Sequence, residues 1–528
     1  MHSLLRWLSG LALLALLACG GDPATLAVTL RGPVDPMPSP GAAVRLEAKL
    51  DGHGAASGEH TFEWLKDGEV LAGATGQVLL LDPVALEDAG SYQVRVDGGG
   101  EDLVSEPYDL LPADHAWIVT SAADDGPGTL REVLQAAEGF DGVVGIQFGL
   151  PQDEPWTIHL QSGLPPIAAK VRILGPARRT LTVDGGGAHR PFAVDGGDVV
   201  LDGFTVANGL AKGGDAPGGG GGAAGMGGGL FINDGNVLLR RMTFSGNRAV
   251  GGNSGPGSDG ENGGGAGFGG DSPPLGGKGA DGGWLLGVGG EGCLDGVATT
   301  DSGGGPAVDG DGAGGGAARG GLLTDPVSLW ADNLPGGPAT FGGGGGFSVG
   351  PLGGGGDGGF GGGGGSSGGS ASGLFLPGAA GGAGGVFGGD GVPGDGVTGG
   401  RGGAGGAMGG AVFLRWGDLD LRGCTFKDNR ALGGEGGDAG MGKGGAVFIY
   451  GYDYAAPKSS FYEERLRAQA YAGNLASDLV EDPSFDNNDF YVAQTLLAFR
   501  KLGSAMDLKY RVYKLDLKMG LKVRATAP

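Results

Sequence analysis

The segment from 227 to 252, GGGLFINDGNVLLRRMTFSGNRAVGG, matches 409 to 434, GGAVFLRWGDLDLRGCTFKDNRALGG, without a gap over 26 positions, 13 of them identical. A chain that repeats itself so closely must give both blocks one shape. A third start, Gly444-Gly445-Ala446-Val447-Phe448-Ile449, repeats the opening strand, and a degenerate earlier copy runs from Phe192-Ala193-Val194 through Val199, Leu201, Phe204 and Val206 to Asn208. Within each copy apolar side chains fall two apart: Leu230 and Ile232, Val237 and Leu239, Met242 and Phe244. Period two marks strands with one buried face. The Gly or Gly-Asn between them suits tight corners that need positive φ. So small a unit cannot bury its apolar face alone, whereas stacking copies gives a continuous core and parallel strands. The repeat therefore predicts an all-β solenoid in which the two matching blocks are successive coils. Earlier rungs are expected at Val143 to Phe148, Thr157 to Leu160, Val171 to Leu174 and Leu181 to Val183.

Thr129 and Glu132 have the spacing of a capping box, and Leu130, Val133, Leu134 and Ala137 fall on one helical face, so a short helix is expected to plug the first coil. Glycine supplies 128 of 528 residues, far above the roughly 7% of ordinary chains, with no strict Gly-X-Y period. The glycine tracts, about 210–227, 253–408 and 433–443, follow the Asn of one copy and precede the Gly-Gly strand of the next, so all leave the same corner. Such composition predicts disorder, because glycine loses much entropy on ordering and brings no side chain to bury. Compact packing of extended glycine segments is the alternative; apolar punctuation such as Trp284-Leu285-Leu286, Phe341, Phe347, Phe360 and Phe387 favours it. Gly-Asp pairs invite a calcium reading, but no nine-residue repeat is kept, and no metal or cofactor is assigned.

At the N-terminus, Arg6 precedes an apolar run from Leu8 to Ala18, too short to span a bilayer and fitting the core of an export signal. Leu16-Leu17-Ala18-Cys19 resembles the lipobox of bacterial lipoproteins. That resemblance implies a signal peptide at 1–18, a diacylglycerol on Cys19 and a lipid-anchored linker at 19–25, each buried CH₂ contributing about 0.8 kcal/mol. A signal cut without lipidation is the alternative. Gly20 and Gly21 replace the Asp that would suggest inner-membrane retention, which points to the outer membrane and surface exposure. Cys293 and Cys424 are expected to be free thiols, with a disulfide as the alternative.

Residues 26–112 read as short alternating strands. Trp64 and the segment Asp88-Ala89-Gly90-Ser91-Tyr92 resemble the buried Trp and tyrosine corner of immunoglobulin-like domains, with Ala48 and Val94 where the usual cysteines stand. Gly-Gly-Ala-Val (409–412, 444–447) and Phe-x-x-Asn (244–247, 426–429) are similar to repeats of chlamydial-type polymorphic outer membrane proteins. Those belong to the right-handed, pectin-lyase-like parallel β-helices. The resemblance covers roughly 115–452; the β-helix is expected over 113–252 and 409–491, split by the glycine-rich insertion 253–408, and alternation beyond it makes 492–528 a capping segment. In that last segment Val492 to Leu502 is expected to form a helix and Leu508 to Val523 amphipathic strands. Residues 500–528 carry eight Lys or Arg against two Asp.

A formal net charge of -24 repels phosphate backbones, so nucleic acid is excluded as a partner. Family members include adhesins, and the resemblance implies a non-enzymatic surface lipoprotein: an adhesin or a structural or binding protein of the envelope. Its partners would be the membrane, through the N-terminal lipid, and glycans or surface proteins. The alternative is a polysaccharide lyase or hydrolase, since pectin-lyase-like folds often host them. Its candidate residues are Arg179, Asp184, His189, Arg190, Asp195, Asp198 and Asp202. They read more simply as corner residues whose carboxylates cap turn amides, and no catalytic residue is assigned. A third possibility, an autotransporter passenger, calls for a long series of amphipathic strands that the sequence lacks.

Overall fold

The computed structural model describes residues 27–33, 36–51, 60–97, 102–150, 155–176, 180–256, 341–345, 354–367, 380–394, 400–450, 465–477 and 488–492. Strands dominate these residues, so the protein is all-β, with several parallel sheets. The chain divides into two compact units, the first within 1–117 and 142–145 and the second within 118–141 and 146–528. Expectations for Cys19, the signal peptide, Cys293 and the capping segment beyond Val492 lie outside the described residues.

The first unit holds two antiparallel sheets around one core. Strands Ala27–Arg31, Val44–Asp51 and Val78–Leu81 form one, and Thr61–Lys66, Glu69–Val70, Gly90–Asp97, Asp102–Val104 and Tyr108–Leu110 the other. Trp64 is buried between them, and its indole Nε1 donates to the Gly76 carbonyl at 2.7 Å. The Tyr92 hydroxyl donates to the Asp88 carbonyl at 2.8 Å, and burial pushes its pKa above the usual phenol range. Ala48 and Val94 are fully buried in the same core, so apolar packing occupies both positions.

In the second unit, helix Leu130–Ala137 buries Leu130, Val133, Leu134 and Ala137. The Glu132 amide donates to Thr129 Oγ1, while the Glu132 carboxylate accepts from the Gly128 amide at 2.6 Å instead of from Thr129. The repeat then builds coils. One parallel sheet takes Lys170–Leu174, Phe192–Asp202, Leu230–Arg240, Val412–Leu414 with Asp418–Arg422, Val447–Ile449 and Phe490–Val492. A second takes Trp156–His159, Leu181–Asp184, Thr205–Ala207, Thr243–Ser245, Thr425–Lys427 and Ala470–Ala472. A third takes Leu210–Lys212, Arg248–Val250, Arg430–Leu432 and Leu475–Ala476. The two matching blocks are thus successive turns of one stack, in parallel register: Leu230 lies opposite Val412, Leu239 opposite Leu421 and Phe244 opposite Phe426. Their corners repeat as well: Gly227, Gly409 and Gly444 share φ near +60°, a conformation that costs a residue with a Cβ.

Asparagines line one inner corner. Asn429 Oδ1 accepts from the Asn247 backbone and side-chain nitrogens, both at 3.0 Å, and its Nδ2 donates to the Phe244 carbonyl and to Asn474 Oδ1, also at 3.0 Å. Asn474 continues the ladder with a bond to the Phe426 carbonyl. The ladder ends at Gly209, whose amide donates to Asn247 Oδ1.

The glycine tracts correct the expectation of disorder wherever they are described. Gly221 donates to Gly345, Gly222 to Gly403, Gly363 to Gly222, Gly364 to Gly389 and Gly403 to Gly364, at 2.8–3.0 Å. Extended segments from all three tracts lie side by side, so close that a Cβ on Gly364 or Gly405 would sit well under 3.0 Å from a neighbouring carbonyl. Their lack of side chains is what lets backbones approach and bond to each other, which replaces the ordering enthalpy that side chains usually supply. Ala407–Met408, at the end of the expected insertion, is a strand of the stack, paired with Gly225–Met226 and Gly442–Lys443.

Candidate functional site

Strand alternation turns Leu230 and Ile232 into the coil, which places the Phe231 ring on the outside. The same position carries Phe413, Phe448 and Tyr491 in the following coils, and the four rings stack at 5.2, 5.3 and 5.4 Å. An outward phenylalanine is ordinarily exposed, yet Phe231, Phe413 and Phe448 are fully buried. The glycine layer covers them. Phe360, Met226, Met408 and Ala224 complete a second hydrophobic cluster, with Phe341 and Phe387 packed against it. Phe387 meets Phe448 edge-on at 5.7 Å, and Phe341 stacks on Phe360 at 5.4 Å. Phe341, Phe360 and Phe387 therefore anchor the insertion where it is described. The sequence reading missed this column, although a phenylalanine recurring at one outward position of three coils could have signalled a cover.

At one margin of this cluster aromatic surface emerges. Trp416 is 43% exposed and stands 5.8 Å edge-on from Tyr450, which is half-buried and backed by Phe360 at 4.2 Å. Beside Trp416, the Arg415 guanidinium lies over Phe341 at 4.0 Å and donates to Asn233 Oδ1 at 2.9 Å. Asn233 in turn donates to Asp195 Oδ1 at 2.7 Å. Asp195, Asn233, Arg415 and Tyr450 thus hold one outer corner through successive coils. Parallel to it, Asn236 donates to Asp198 Oδ1 at 2.8 Å and pairs with Asp418 in the next coil.

The residues that a glycan-cleaving site would need are distributed differently. Asp184 lies on the second sheet, accepting from the Gly186 amide and Asn208 Nδ2, with His159 Nδ1 at 3.2 Å from its other oxygen. Asp195, Asp198 and Asp202 lie along one strand of the first sheet. Asp202 is fully buried and salt-bridged to Arg240 and Arg241 at 2.8 and 2.7 Å. Arg190 donates to the Gly227 and Met226 carbonyls with its guanidinium 5.2 Å from the Phe231 ring, and desolvation lowers its pKa to about 10, leaving it charged at neutral pH. The His189 backbone belongs to a turn, its amide bonded to Gly185 and its carbonyl to Leu210. Arg179 lies outside the described residues. Among the described residues, no three His, Cys, Asp or Glu side chains group as metal ligands. Cys424 is a buried free thiol whose pKa burial pushes up to about 11.

No family model matches the chain, and no curated protein does. Among solved structures it is similar to the three N-terminal domains of the bacteriophage RB49 Highly Immunogenic Outer Capsid protein (20% identity, 18% of this chain and 34% of that one, TM-score 0.16). It is also similar to a Dscam structure addressing isoform specificity (24% identity, 17% and 21%, TM-score 0.15). The chain spans about a third and a fifth of those two molecules.

Proposed function

We propose that this chain is an exported, non-enzymatic surface lipoprotein, anchored through Cys19, that works by binding or by building the cell envelope. In this reading the first unit is an immunoglobulin-like spacer and the second a right-handed parallel β-helix carrying the binding surface. The observation that supports it best is the use made of the carboxylates. Asp195, Asp198 and Asp202 are each engaged by an Asn or Arg of the next coil, in a repeating pattern that ties coil to coil. Acid-base cleavage of a glycosidic bond calls for carboxyl groups that converge on one bond from two sides. Carboxylates in a single file along a strand serve the stack instead.

The test incubates the purified full chain with pectins and with neutral polysaccharides, and follows unsaturated uronate products and reducing ends. No release above an Asp195→Ala control is expected; Asp-dependent turnover would overturn the reading. Anchoring is tested separately, by incorporation of labelled palmitate and partition into detergent. Both should be lost in Cys19→Ser, and retention of label there would refute lipidation at this residue.

A further inference from the structure

The Trp416 indole meets Tyr450 of the next coil edge-on yet keeps much of its surface in solvent. The matching position one coil earlier is Asp234, also exposed, so the corner closes equally well without an aromatic residue. A ring this large left 43% exposed forgoes substantial burial. Its surroundings hold it still: Tyr450 rests on Phe360, Arg415 is clamped between Phe341 and Asn233, and the Trp416 amide donates to the Asn233 carbonyl at 3.1 Å. A rigid aromatic shelf beside a row of fixed polar groups is the composition of a ligand site rather than of a solvated corner.

The row specifies the ligand further. Asp195, Asn233, Arg415 and Tyr450 follow one another coil by coil, so the ledge extends roughly 14 Å along the stack at about 4.8 Å per coil. Carboxylate and amide oxygens accept hydroxyl hydrogens, and ring faces suit the C–H side of a sugar. The charges decide which sugar. Asp195, Asp198, Asp234 and Asp418 are all exposed along the flank, whereas the one guanidinium among them, Arg415, is buried under Phe341. Such a flank repels uronates, phosphates and sulfates.

We propose that the ledge of Asp195, Asn233, Tyr450 and Trp416, with Arg415 buried beneath as its support, binds a neutral, hydroxyl-rich polysaccharide laid along the stack axis. This rests on the binding role proposed above and gives that role a ligand class.

The test is affinity electrophoresis of the full chain in detergent, through gels holding soluble β-glucan, galactomannan or polygalacturonate. Retardation is expected in a neutral gel and not in polygalacturonate. Trp416→Ala should weaken it at least about tenfold, a loss that one buried aromatic contact readily accounts for. Trp416→Tyr should keep most of it. Val392→Ala, at another exposed apolar position, should leave it unchanged. Circular dichroism of each variant reports folding. Equal retardation of wild type and Trp416→Ala overturns the site, as does retardation in polygalacturonate or in none of the gels. Release of reducing ends by a chain that binds would sink the non-enzymatic role and spare the ledge. Lack of binding without turnover would sink the ledge and spare the role.

Discussion

Replacing Asn429 by alanine removes the middle rung of the buried asparagine ladder. In the native stack its Oδ1 satisfies two donors of Asn247, and its Nδ2 donates to the Phe244 carbonyl and to Asn474. Asn429 is fully buried, so no water replaces these partners. The truncation leaves the Asn247 backbone N–H without its acceptor, at about 1–3 kcal/mol, and loses neutral bonds worth about 1 kcal/mol each. The coil should therefore loosen by about 4–6 kcal/mol. Cys424 offers a local reporter: it lies five residues away in the same coil, is buried, and its Sγ donates to the Leu239 carbonyl at 3.4 Å. At about 1.4 kcal/mol per factor of ten, opening of this coil should become roughly 700- to 20,000-fold more frequent. Pulse alkylation with peptide-resolved mass spectrometry would read that at Cys424 directly. An exposed control in the same coil, Lys427→Ala, should change the rate less than about threefold, as surface substitutions usually do. Equal labelling rates for Asn429→Ala and this control would refute the account of the ladder as a structural tie between coils.

Three further outcomes follow from the same geometry. Gly405→Ala drives a Cβ into the Ala223 carbonyl, so the glycine layer should lift at a cost of about 1–3 kcal/mol. Dye binding to the uncovered Phe413 and Phe448 would rise, and no rise would refute it. The Cys424 thiol ionises at about 11 in the folded chain against 9.0 when unperturbed, so folding favours its neutral form. The contribution is complete below pH 9 and is lost as pH rises through 11, amounting to about 3 kcal/mol. Cys424→Ala should remove that part of the alkaline decline in urea stability, and an unchanged decline would contradict the assignment. Excising 253–404 so that Gly252 joins Gly405 should keep the parallel-strand circular dichroism while promoting self-association through the bared aromatic column. Loss of the strand signal would show that the layer holds the coils themselves.

What the sequence revealed depended on whether a feature was periodic. The stacking of the two blocks, the corner glycines and the inward Leu, Val and Phe rows all follow from period two and a gapless match. Trp64 and Tyr92 were legible because a motif fixes their surroundings. The outward column of Phe231, Phe413 and Phe448 was hidden, since alternation alone assigns such positions to solvent. Only the folded-back glycine layer buries them. Glycine itself misled: its entropy argues for disorder, and the compensating backbone bonds join segments that lie far apart in sequence. The ledge was illegible for the same reason, because Asn233 and Arg415 are 182 residues apart yet hydrogen-bonded.

The insertion leaves and returns at a hydrogen bond, from the Gly405 amide to the Gly252 carbonyl at 2.9 Å. Because those two points adjoin, the ends of the insertion fix no minimum length for the chain between them. The stack therefore works as a frame with a gate in one wall. Glycines let what is added there lie flat on the wall, and phenylalanines such as Phe360 and Phe387 fasten it down.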